Sequence, residues 1–169
     1  MTCNQRPETN DKPHVATGND QKAFNTALRL LTRRNHSKYE LAQKLKQRNF
    51  EDGVIEKVLL KCERLDYLND ERTAEVFIGQ LLRKGYGANR IRHELNRKGL
   101  TSNGIAATLA ETLPEAGERE NAERILIKNI NKFERENDSK KRKGKIYRFL
   151  YSRGFSHQVI AEVMKKYEI

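Results

Sequence analysis

Three 24-residue windows of the chain align without a gap: Tyr39–Cys62 (YELAQKLKQRNFEDGVIEKVLLKC), Asn89–Thr112 (NRIRHELNRKGLTSNGIAATLAET) and Gly144–Tyr167 (GKIYRFLYSRGFSHQVIAEVMKKY). Their apolar positions superpose as Leu41, Ile91, Ile146; Leu45, Leu95, Leu150; Phe50, Leu100, Phe155; Ile55, Ile105, Ile160; and Leu59, Leu109, Met164. A spacing of four within each half marks one face of an α-helix. Between the halves stands Asn49, Gly99 or Gly154, the residue types that most readily take positive φ and close a helix. Each window therefore reads as helix, tight turn, helix. Thr101 and Ser156 are placed to cap the second helix. Leu100 with Ile105, and Phe155 with Ile160, have the spacing of a hydrophobic staple that fixes its entry angle.

A helix pair of this size cannot bury its apolar stripe alone, so a preceding helix is expected to close each unit. KAFNTALRLLTRR carries Phe24, Ala27, Leu28 and Leu31 on one face, and DERTAEVFIGQLLRKG carries Ala74, Phe77, Ile78 and Leu81 at the same offset. In the last unit the leading helix is expected from about Glu118 to Glu136, followed by a loop NDSKKRKGK. The expected fold is all-α, an elongated tandem array of three three-helix repeats. The expected units are residues 21–65, 66–113 and 114–169, after a disordered polar tail over residues 1–20. Repeat spacings of 50 and 55 residues are unlike those of the common helical solenoids.

Economy of apolar residues agrees with this: 36% of the 169 residues are apolar, 34% are charged, and there is no Trp. No stretch approaches the ~20 apolar residues of a membrane span, and the N-terminus lacks the apolar core of a signal peptide. Cys3 and Cys62 have no metal-site or disulfide spacing and suit a reducing cytoplasm. His14, His36, His93 and His157 have no Cys or carboxylate at ligand or triad spacing. KGYGAN reads as a turn between helices, not a phosphate-binding loop. Asp66, Asp70 and Glu71 read as linker and helix N-terminus residues, where negative charge suits the dipole. No catalytic, metal or cofactor site is expected. Cys62, Thr112 and Tyr167 share a late helical position that reads as structural.

The formal net charge of +11 favours polyanionic partners. On the first helix of each window, positions i, i+3 and i+7 share one face. They carry Glu40, Gln43 and Gln47 in repeat one; Arg90, His93 and Arg97 in repeat two; and Lys145, Arg148 and Ser152 in repeat three. Lys140, Lys141, Arg142 and Lys143 stand beside the third set. A run of charges is more often a solvated face than a site. The difference between corresponding helices raises the contact reading, which makes Arg90, His93, Arg97, Lys140, Lys141, Arg142, Lys143, Lys145 and Arg148 the candidate residues for contact with a polyanionic partner. Tyr147, Phe149 and Tyr151 interleave with them, a weak version of the aromatic pattern that stacks bases. All three cannot point one way on a helix, so at least one is core.

With the repeats in view, the chain resembles the RecX family, bacterial regulators of the RecA recombinase. The resemblance rests on DYLNDERTA (Asp66–Ala74) and RKGYGANRIRHELNRKGL (Arg83–Leu100), with ALRLLTRRNHSKYELAQKL before them and YSRGFSHQVIAEVM after. It covers about residues 22 to 167. Thr73 stands where an aromatic is usual, Asn89 where proline is common, and Asn49 where the turn glycine is usual. The resemblance implies a cytoplasmic, non-enzymatic, monomeric protein that lies in the helical groove of the RecA–DNA filament and restrains its recombinase and co-protease activity. Whether single- or double-stranded DNA is also touched directly stays open. The competing function is a stand-alone nucleic-acid-binding protein of helix-turn-helix type.

Overall fold

The structure, a computed structural model, describes residues 18–167. Nearly all of the expected N-terminal tail thus lies outside the described residues, but residues 18–20 open the first helix. Among the described residues there are nine helices and no strand: α1 Gly18–Leu31, α2 Lys38–Lys46, α3 Asp52–Arg64, α4 Asp70–Arg83, α5 Ala88–Arg97, α6 Asn103–Thr112, α7 Glu115–Glu134, α8 Ser139–Ser152 and α9 His157–Lys166. The extensive helix–helix contacts all fall inside the triples α1–α3, α4–α6 and α7–α9. The fold is a tandem of three-helix repeats.

Each triple encloses its own core. The first holds Ala23, Phe24, Ala27, Leu41, Leu45, Ile55, Val58, Leu59 and Cys62. The second holds Ala74, Ile78, Leu81, Ile91, Leu95, Leu100, Ile105 and Leu109. The third holds Ala122, Leu126, Phe133, Ile146, Leu150, Phe155, Val159, Ile160 and Val163. These are largely the superposed positions of the sequence, with Leu30 more buried than Leu28 or Leu31 on α1. Cys62 is fully buried, but Thr112 is exposed and only Tyr167 of its two counterparts touches a core.

The turn between the window helices is the same device three times. Asn49, Gly99 and Gly154 have φ of 60°, 70° and 85°. Their N–H groups donate to the carbonyls of Lys46, Asn96 and Tyr151, each at 2.9 Å. The next residues, Phe50, Leu100 and Phe155, donate back to Leu45, Leu95 and Leu150. These paired bonds are a Schellman motif, which satisfies carbonyls left over at a helix C-terminus.

Two local expectations are corrected. The cap of α6 is Ser102, which accepts from Ile105 N at 3.3 Å, and not Thr101; Ser156 caps α9 as expected. The segment NDSKKRKGK is not a loop. Asp138 accepts from Lys141 N at 3.1 Å, and helix α8 begins at Ser139, so the basic run is helical. The leading helix α7 accordingly sits earlier than expected, at Glu115–Glu134. Gly144 lowers helix propensity by about 1 kcal/mol relative to Ala. That cost is offset by fully burying Ile146 and Leu150 further along the same helix.

Leu95 lies in the core of the middle repeat at 3% exposure. Leu95→Ala is expected to lower unfolding free energy by about 2–5 kcal/mol, measured by urea denaturation followed by circular dichroism.

Candidate functional site

The repeats are joined by a junction that occurs twice with equivalent residues. At the first, the Ser37 hydroxyl donates to the Lys98 carbonyl at 2.5 Å, and Lys38 N–H donates to Asp70 Oδ1 at 2.8 Å. At the second, Gly87 N–H donates to the Arg153 carbonyl at 2.9 Å, and Ala88 N–H donates to Glu118 Oε1 at 2.9 Å. Ser37 and Gly87 are the N-caps of α2 and α5. In both cases the N-terminus of one repeat's second helix meets the Schellman turn of the next repeat and a carboxylate from that repeat's first helix. An orphan carbonyl of one helix is thereby satisfied by the cap of another, through the Ser37 hydroxyl at the first junction and the Gly87 N–H at the second, and the helix dipoles meet head to tail.

This junction explains the residue at the turn. A Cβ on Gly99 would fall 2.5 Å from Tyr39 Cβ, and one on Gly154 would fall 2.8 Å from the Cα of Arg90. No described repeat precedes repeat one, and there the turn carries Asn49. Gly154→Ala adds both left-handed strain and a clash with backbone, and is expected to destabilise by more than about 2 kcal/mol. Asn49→Ala carries the strain alone and is expected to cost about 1 kcal/mol. Paired urea melts check the order.

Glu40 ties the first junction together and is not on the outward face where the sequence pattern put it. Only 18% of its side chain is exposed. It accepts from Arg34 at 3.1 and 3.2 Å, from Lys98 Nζ at 2.6 Å, and from Ser37 N at 3.3 Å in a capping box. Burial works to raise its pKa, but the hydrogen bonds from Arg34 and Lys98 override this and hold it down at about 2. His36, 3% exposed, has its Nδ1 3.7 Å from Glu40 Oε2, and burial followed by the Arg34 charge lowers its pKa. A carboxylate whose folded pKa is depressed contributes stability above its unfolded pKa and loses it as pH falls through the folded value. Between about pH 4.5 and pH 2, the wild type is therefore expected to lose stability relative to Glu40→Gln. Parallel melts across that window measure the difference.

The nine candidate contact residues divide into two groups. On α5, Arg90 and Arg97 both pair with Glu94, at 2.9 and 3.1 Å, and Arg90 also packs against the Gly154 turn. His93 is exposed beside them. On α8, Lys145 pairs with Glu136 at 2.6 Å, and Lys141 approaches Asp138 at 3.9 Å. Among the described residues no ion pair engages Lys140, Arg142, Lys143 or Arg148. The structure gathers six of the nine on α8 and leaves Arg90 and Arg97 on α5 sharing one carboxylate, Glu94.

Four cations in the first turns of α8 stand at the positive end of the helix dipole, where acidic residues are favoured; that first turn has no acidic residue. Helix stability does not select this arrangement. The first-turn sequences of α1, α2, α3, α4 and α7 all contain Asp or Glu. Among the described residues no helix is long and apolar enough to cross a membrane, and no group of His, Cys, Asp and Glu could hold a metal ion.

The junctions were missed in the sequence reading. Their signals were present: Ser37-Lys-Tyr-Glu40 has capping-box spacing, and glycine replaces asparagine at only those turns that another repeat covers.

Comparison with known proteins gives matches along most of the chain. Residues 23–62 match the description "RecX, first three-helix domain", residues 69–109 the second domain and residues 117–164 the third. The chain is similar to the regulatory protein RecX of Legionella pneumophila (strain Corby), 39% identical over 147 residues, covering 86% of this chain and 94% of that one. It is also similar to the regulatory protein RecX of Haemophilus influenzae (strain PittEE), 34% identical over 143 residues, covering 84% and 92%. In fold it is similar to the crystal structure of RecX from Lactobacillus salivarius, with a TM-score of 0.77 at 22% identity, covering 88% of this chain and 96% of that one.

Proposed function

The chain belongs to the RecX family, and from that premise we propose that it binds the RecA–DNA filament and restrains its recombinase and co-protease activity. The array lies in the helical groove of the filament as a monomer in the cytoplasm and acts without catalysis of its own. A tandem of small repeats suits a groove because it offers a long contact surface from few residues.

The observation that carries this reading is the uncompensated cation cluster on α8. Lys140, Lys143 and Arg148 are exposed and have no ion-pair partner among the described residues. At Lys140 and Lys143 the helix N-terminus favours acidic side chains, so contact with phosphates or an acidic protein surface accounts for their presence where folding does not. Lys141, Arg142 and Lys145 complete the cluster on α8, and Arg90, His93 and Arg97 on α5 are the remaining candidate contacts. The helix-turn-helix reading is weaker. The third helix of the middle repeat, NGIAATLAET, carries no basic side chain with which to meet phosphates beside a groove.

The test is a triple variant, Lys140→Glu, Lys143→Glu and Arg148→Glu, assayed for its effect on RecA-dependent ATP hydrolysis and strand exchange at two salt concentrations. Acidic residues suit the dipole at Lys140 and Lys143 but not at Arg148 in the C-terminal half of α8, so stability is expected to change by less than about 1 kcal/mol. Inhibition is expected to weaken, because several screened contacts of about 1 kcal/mol each add. Full inhibition by the variant at both salts would place the contact surface elsewhere.

A further inference from the structure

The third repeat carries an aromatic cluster that the other two repeats lack. Tyr147 and Tyr151, one turn apart on α8, lie beside His157 at the start of α9. Their ring centroids are 6.2 Å (Tyr147–Tyr151), 5.8 Å (Tyr147–His157) and 5.2 Å (Tyr151–His157) apart, with planes inclined by 11°, 24° and 29°. The Tyr147 hydroxyl and His157 Nδ1 are hydrogen-bonded, which sets the rings relative to each other. Tyr151 is 55% exposed and His157 is exposed. Phe149, between the two tyrosines in sequence, turns the other way and packs on Phe133 at 5.4 Å.

The repeats supply an internal control. The positions of Tyr147, Tyr151 and His157 correspond to Ala42, Lys46 and Asp52 in repeat one, and to Arg92, Asn96 and Ser102 in repeat two. Lys46 and Asp52 form a surface ion pair at 3.1 Å. Arg92, Asn96 and Ser102 border an open groove. The same scaffold is thus built without rings at these sites twice over. Tyr147 packs partly on the repeat's core, but Tyr151 turns its ring to water, which gains nothing in the folded monomer.

The cations stand on the same side. Lys143 precedes Tyr147 by four residues and Lys140 by seven, and Arg148 precedes Tyr151 by three, spacings that make them helical-face neighbours. Near-parallel, partly exposed rings flanked by unpaired cations have the chemistry of a surface for single strands. Every base has a π-face to stack, and its phosphates need nearby positive charge. A duplex keeps its bases stacked on each other and offers only phosphates.

We propose that Tyr147, Tyr151 and His157 form a stacking platform for unpaired bases of single-stranded nucleic acid, with Lys140, Lys143 and Arg148 holding its phosphates. This site works in the absence of RecA, so its failure is separable from failure of filament docking.

The experiment titrates the full chain, without RecA, onto a short fluorescein-labelled oligothymidylate and onto a duplex of equal length, following anisotropy. Because the chain has six Tyr and no Trp, stacking on the platform is also read as quenching of intrinsic tyrosine emission by unlabelled oligothymidylate. Tyr151→Ala is expected to weaken single-strand binding about 10-fold or more, to leave duplex binding unchanged and to reduce the quenching. Tyr151→Phe keeps the ring and is expected to bind as wild type. Equal single-strand affinity for wild type and Tyr151→Ala would overturn the proposal, as would binding without any tyrosine quenching. Equal loss for single strand and duplex would overturn it too, by showing that the patch senses only phosphate charge.

Discussion

Backbone groups at helix ends must find partners, and in this chain they find them in the neighbouring repeat. The C-terminal turn of α5 receives the N-terminus of α2, and the C-terminal turn of α8 receives the N-terminus of α5. The second helices of the three repeats are therefore joined end to end in the order α8, α5, α2. Each junction satisfies an orphan carbonyl of the turn and an orphan N–H of the incoming helix and places opposite dipole ends together. A hydrophobic interface between such small units would have to draw apolar area from cores that have little to spare. Polar end-to-end joining avoids that conflict, and carboxylates from the next repeat, Asp70 and Glu118, reinforce it.

The two junctions use different side chains on the same frame. At the first, the backbone contact is supplemented by Glu40, Arg34 and Lys98, with Lys98 also 4.7 Å from the Phe77 ring centroid. At the second, Arg153 donates to the Lys84 carbonyl at 2.7 Å and lies near the rings of Tyr86 and Phe149, while Asn121 donates to the Tyr86 carbonyl at 3.0 Å. Lys98 and Arg153 occupy the same repeat position but act differently. Lys reaches a carboxylate as a point charge, whereas the guanidinium spans a carbonyl and aromatic faces. The residue at the position of Glu40 is correspondingly free to become Arg90 at the second junction. A charge difference that looked like a difference in binding face between repeats is here a difference in how two junctions are fastened.

How much was legible follows from what each signal depends on. The nine helices, their buried faces and the three left-handed turns depend on local periodicity and on residues tolerant of positive φ, and the sequence shows both. The basic segment after residue 137 misled because its charges and Gly144 resemble a loop; the deciding features were the Asp138 cap and the buried pair Ile146 and Leu150 further on. Glu40 was misplaced because a helical face has no label for what covers it. Its partner Lys98 lies 58 residues away, and no pattern within one repeat discloses a contact between two. The pairing of Tyr147 with Tyr151, rather than with Phe149, follows from helical spacing. The arrival of His157 against them requires the turn angle between α8 and α9.

End-to-end joining also gives the array a polarity with functional weight. Each internal N-terminus of the row is covered by a turn and a carboxylate from the next repeat, but α8 has no described repeat beyond it. There the helix runs on: it begins five residues before its window, at Ser139, whereas α2 and α5 begin one residue before theirs, at Lys38 and Ala88. The extension carries Lys140, Lys141, Arg142 and Lys143. This N-terminus combines a positive dipole end with a cation cluster, and among the described residues Asp138 and Glu136 oppose it. Tyr147 and Tyr151 lie further along the same helix and His157 meets them from α9, so the exposed cations and the rings share the third repeat.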